Sequence, residues 1–80
     1  MSAIGFFSGS VNGDAHLDNL PAGRVINLQT SADVGIAFWN PADNAYGAAE
    51  TIAAPGDEVS CPHHRAKLTG IANVTITLGE

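Results

Sequence analysis

An all-β chain is what this sequence specifies: a small antiparallel β-sandwich or barrel of six to eight short strands, with an irregular N-terminal arm or hairpin. Three features carry that reading. The C-terminal stretch Ala72-Asn73-Val74-Thr75-Ile76-Thr77-Leu78 alternates apolar and polar residues with period two, the mark of a strand with one face on a core. Gly (9), Ala (13) and Asn (6) punctuate the whole chain and favour short strands over helices. No segment carries a sustained 3.6-residue apolar period.

From the N-terminus, residues 1–23 are the least regular. Ser8-Gly9-Ser10 is flexible, Asn12-Gly13 suits a two-residue hairpin turn, and Phe6 and Phe7 fit either a first strand or an arm anchored on a neighbouring subunit. The β-domain proper spans 24–80. Arg24 to Thr30 is a strand with Ile26 and Leu28 on one face, and Ser31-Ala32-Asp33 supplies turn residues. Val34 to Trp39 resumes with Val34, Ile36 and Phe38 on one face, so the two strands read as a hairpin. Asn40-Pro41 ends the second, because proline lacks a ladder donor. Residues 40–49 form a loop, and Glu50 to Ala53 is a short strand. Ala54-Pro55-Gly56-Asp57 fits a type II turn, with Gly at the position of positive φ. Glu58 to Cys61 is a strand closed by Pro62, Arg65 to Thr69 is another, and Gly70 separates it from the last.

Charge and size exclude several ways of life. Eight acids face three bases, Arg24, Arg65 and Lys67, for a net charge of −5. Three bases displace few counterions from phosphates, and the overall field repels nucleic acid and anionic membranes alike. No apolar run approaches the roughly 20 residues of a bilayer span. Met1 to Phe7 lacks the basic start of a signal peptide, so the chain is expected to fold in a cytoplasm; the Asn73-Val74-Thr75 sequon then has no role. The single cysteine, Cys61, makes no intrachain disulfide.

Four sets of residues invite a chemical reading, each with a plain structural alternative. Cys61, His63 and His64 are types that bind zinc, and His16, Asp57 or Glu58 would be needed to complete a set. The spacing lacks the paired ligands of structural sites, and two successive histidines on a strand point to opposite faces, so no metal or other cofactor is expected. A Cys61 nucleophile would need a base and an orienting group that neighbouring residues do not supply, so no catalysis is expected. His63, His64, Arg65 and Lys67 form a basic cluster that suits docking on an acidic surface; edge-strand protection is the commoner use of such residues. Trp39 and Tyr46 bracket a loop, where aromatics fill a core, anchor a protein interface or stack on a sugar.

Charged residues are only 14% of the chain, against roughly 25–35% of a well-solvated surface. Much of the outer face is therefore small and neutral, which suits a protein living in an assembly. A chain this short also buries only about 60–65% of its unfolded surface, and association adds burial.

The succession Val25-Ile26-Asn27-Leu28-Gln29-Thr30-Ser31, Val34-Gly35-Ile36, Ala54-Pro55-Gly56-Asp57-Glu58-Val59 and Ala72 to Gly79 resembles small β-sandwich virion proteins of tailed bacteriophages, over roughly residues 24–79. Capsid decoration (cement) proteins are among them. The resemblance implies a non-enzymatic virion protein made in the host cytoplasm and placed on the capsid surface. It implies a homo-oligomer, a trimer by preference, that clamps neighbouring major-capsid subunits. Phe6, Phe7, Trp39, Tyr46, His63, His64, Arg65 and Lys67 are then the interface candidates. Small tail or head-tail connector proteins share the same texture. A glycan- or metal-binding β-module is the alternative outside that class, and a cupin-like enzyme ranks last because facing histidine and carboxylate ligands are missing.

Overall fold

The computed structural model describes residues 5–79. They form seven antiparallel strands and no helix: β1 (Gly5–Leu17), β2 (Val25–Thr30), β3 (Val34–Asn40), β4 (Ala45–Tyr46), β5 (Glu50–Ile52), β6 (Gly56–Ser60) and β7 (Ala66–Leu78). The all-β expectation holds, and the strand count falls within six to eight.

The organising element is a ribbon of the two long strands. β1 and β7 pair along nearly their whole length, from Gly5 opposite Thr77 to Leu17 opposite Ala66, with one irregularity between Gly5 and Phe7. The other edge of β7 is divided. Ala66 to Thr69 pair with β3, and Val74 to Leu78 pair with β2. β3 carries β5 and β4 on its far side, and β2 carries β6. The ribbon thus belongs to two half-sheets, which close on one core of Val11, Leu17, Leu20, Ile26, Leu28, Val34, Ile36, Ile52, Cys61, Ala66, Leu68, Ala72, Val74 and Ile76.

Period-two alternation explains which residues enter that core. Along β7 the even positions Ala66, Leu68, Ala72, Val74 and Ile76 are buried, while Thr69, Ile71 and Asn73 face out. Ile71 is consequently 75% exposed, the one large apolar side chain so placed among the described residues. On β1 the odd positions oppose this row, as in the pairs Val11–Ala72 and Ala15–Leu68.

Four expectations are corrected. Asn12-Gly13 is not a turn but lies inside β1 opposite Ile71 and Gly70, so the described part of the N-terminal segment contributes a full strand; residues 1–4 lie outside the described residues. β2 and β3 do not pair as a hairpin, because β7 takes a ladder position on each. The segment 31–33 instead crosses β7 at Gly70, where a Cβ would lie 3.1 Å from Val34 Cγ1 and 3.3 Å from the Asp33 carbonyl. The corner is tied by Ser31 N donating to Asn73 O (3.0 Å) and Asn73 N donating to Ser31 Oγ (2.9 Å). Gly70 therefore does not separate two strands; it has φ 142° inside a single strand of 13 residues. Finally, the turn at Ala54-Pro55 has a cis peptide bond and is not type II.

Candidate docking face

Four strands of one half-sheet, β4, β3, β7 and β1, bring most of the singled-out side chains to one outer face. The hairpin between β3 and β4 is built by its own sequence. Asn40 Oδ1 accepts from Ala42 N (3.0 Å), Asn40 Nδ2 donates to Asp43 Oδ2 (3.0 Å), and Asn44 takes the left-handed conformation at φ 52°. That turn sets Trp39 directly opposite Tyr46. Their rings meet edge to face, with centroids 5.1 Å apart at 84°, a geometry worth roughly 0.5–1.5 kcal/mol beyond its buried area.

Each ring carries a cation. Trp39 N donates to the Arg65 carbonyl (3.0 Å), which holds Arg65 beside β3 and places its guanidinium carbon 4.5 Å from the Trp39 ring centroid. Lys67 Nζ lies 5.2 Å from the Tyr46 centroid. Such contacts contribute about 0.5–1 kcal/mol each when exposed. Arg65 and Lys67 make no ion pair among the described residues, although the chain carries eight acids. On the far side of Lys67, His16 of β1 is its ladder partner, and His16 Nδ1 lies 3.2 Å from the Tyr46 hydroxyl.

His63 and His64 sit in a bend rather than on a strand, so their rings do not splay to opposite faces. They stack at 4.4 Å and 30°. His64 Nδ1 donates to the Asp18 carbonyl (3.0 Å), and Leu20 N donates to the His64 carbonyl (3.1 Å), which ties the segment after β1 to the bend. Arg65 N donates to His63 Nδ1 (3.1 Å). Desolvation, then the neighbouring charges of His64 and Arg65, lower the pKa of His63 below the usual imidazole value. An open groove of about 580 Å³ runs beside the face, lined by His16, Leu17, Asp18, Tyr46, His64 and Arg65.

Cys61 stands apart from this chemistry. It is 1% exposed, packs in the core, and donates from Sγ to the His63 carbonyl (3.1 Å). Burial pushes its thiol pKa up, against the smaller opposing effect of that hydrogen bond, so the reactive thiolate is disfavoured. No three His, Cys, Asp or Glu side chains converge on a cation position among the described residues.

Of the residues singled out from sequence, Trp39, Tyr46, His63, His64, Arg65 and Lys67 come together. Phe6 and Phe7 do not join them. They lie at the opposite end of the β1–β7 ribbon, beside Ile76 and Thr77, and pack half-buried on the chain's own core. His16 is the member of the face that the sequence placed only as a possible metal ligand; the pairing of β1 with β7 is what brings it there. No family model, curated protein or solved structure matches this chain.

Proposed function

We propose that the chain is a non-enzymatic virion structural protein of the capsid-decoration type, an oligomer, by preference a trimer, that docks on the capsid surface and clamps neighbouring major-capsid subunits. One observation carries the docking part: the face that gathers Trp39, Tyr46, Arg65 and Lys67 on a molecule otherwise short of charge. Trp, Tyr and Arg are the residue types over-represented where binding energy concentrates in protein interfaces. Their mutual contacts hold them in place before a partner arrives, which lowers the ordering cost of binding. The net charge of −5 weighs against nucleic acid and anionic membrane as partners. The cations over the two rings weigh against sugar stacking, which needs an open ring face. Synthesis in the host cytoplasm and a final place on the capsid belong to the same reading.

The test has two parts. Light scattering on the chromatographed protein, repeated across a tenfold dilution, is expected to give about three times the 8.2 kDa chain mass. Added to emptied capsids of the phage encoding it, the protein is expected to co-sediment to saturation, with Trp39→Ala reducing uptake. A monomer at every dilution that leaves all capsid preparations bare would end this reading.

A further inference from the structure

We propose that the groove between Tyr46 and His64 is the seat for a carboxylate side chain from a short acidic segment of a partner protein, gripped by the Arg65 guanidinium with Lys67 beside it. This deepens the docking reading above and rests on it.

The argument starts from how the two cations are held. A chain of net charge −5 has ample acids to pair with its three bases, yet Arg65 and Lys67 pair with none among the described residues and lie over aromatic rings instead. The Arg65 guanidinium, its carbon 4.5 Å from the Trp39 centroid, spends none of its donors on a hydrogen bond or ion pair among the described residues. Its N–H donors lie in its own plane, so their edge stays available for a two-pronged bond to a carboxylate. Trp39 thus acts as a rest that fixes Arg65 while leaving its donors unspent. The groove alongside adds further polar atoms. The Tyr46 hydroxyl, beside His16 Nδ1, forms part of one wall, and His64, whose Nδ1 is used on the Asp18 carbonyl, forms part of another.

Two carboxylates of the chain bound this site and set its selectivity. Asp18 lines the groove, and Asp14 precedes His16 by two residues on the same face of β1. Neither reaches Arg65 or Lys67 in an ion pair. A long, evenly charged polyanion laid across the face would meet both acids and be repelled. A short segment bearing one to three carboxylates fits between them. The volume of about 580 Å³ accommodates one such side chain with its flanking backbone.

Trp39 is the chain's single tryptophan and lies against Arg65, so its fluorescence reports occupancy directly. The probe is a capped hexapeptide carrying three glutamates, titrated against the intact protein beside its glutamine counterpart. The glutamate peptide is expected to bind at least about tenfold more tightly than the glutamine one, and to weaken about tenfold in roughly 0.5 M salt. Arg65→Gln with Lys67→Gln is expected to abolish the difference. Arg65→Lys is expected to lose part of it, because the fork is gone, and Arg24→Gln, which removes the same charge elsewhere, to keep it. Equal binding of both peptides, or an unchanged preference in the double variant, overturns the proposal. So does a wild-type oligomer that the double variant converts to monomer, since a second copy would then occupy the site. Capsid uptake untouched by the double variant sinks this proposal alone. Peptide binding as described, with no capsid taking up the protein, sinks the virion reading alone.

Discussion

His63 and Gly56 show how much single positions are constrained here. Nδ1 of His63 accepts from the Arg65 backbone N–H, and a protonated imidazole has a hydrogen on that nitrogen and no lone pair to offer. With the folded-state pKa lowered, the unfolded chain binds the proton more readily, so stability is full above about pH 6.5 and falls as acid is added. Comparing urea midpoints at about pH 5 and 7.5, His63→Asn is expected to show a smaller acid loss than the wild type, since its side-chain oxygen accepts at either pH. Gly56 is tighter still. A Cβ there would fall 2.0 Å from the Leu28 carbonyl oxygen, on a backbone with φ 147°. Gly56→Ala is expected to cost about 3 kcal/mol in equilibrium unfolding, by strain together with displacement of β2.

Elements differ in what the sequence discloses. The C-terminal half of β7 is plain in Val74, Ile76 and Leu78, and the buried faces of β2 and β3 follow their alternation as read. β1 is hidden because Val11 and Leu17 are its only fully buried side chains; Gly9 and Gly13 are exposed and Ala15 is half-buried, so no apolar stripe registers. Asn12-Gly13 copies a hairpin signature within that strand, and only the distant partner decides between turn and ladder. Local spacing likewise predicts a hairpin of β2 and β3, because it carries no sign of β7 lying between them. The pairing hierarchy has a measurable counterpart in amide hydrogen exchange. Amides of Leu68, Val74 and Ile76 are expected to be the slowest, on a strand flanked by partners on both edges, and those of β4 and β5 the fastest.

At the scale of the molecule, the aromatic and basic residues that drew notice in the sequence meet because β3, β4 and the start of β7 are neighbours. The loop that Trp39 and Tyr46 bracket in the sequence is a tight hairpin in the fold, and Arg65 and Lys67 are two bases within a run of five residues. What no spacing reveals is that each base covers one of the rings, or that His16, some fifty residues earlier, shares the face. Such a site is tertiary in origin: its parts are local pairs, and its geometry comes from strands brought together across the whole chain. Phe6 and Phe7 make the complementary point, since the apolar pair that suggested a reaching arm is held against the core by the far end of the same ribbon.

The divided edge of β7 also bears on how the protein is made. One strand near the C-terminus supplies the partner for β1, for β2 and for β3. Without residues 66–78 those three strands lose their common neighbour, and among the described residues only the short ladders of β2 with β6 and of β3 with β4 and β5 remain, too few to shield the apolar rows. The core therefore cannot close until β7 has been made and has joined all three. A product stopped before β7 leaves the apolar rows of β2 and β3 open, and is expected to be cut by a protease far faster than the chain that carries β7.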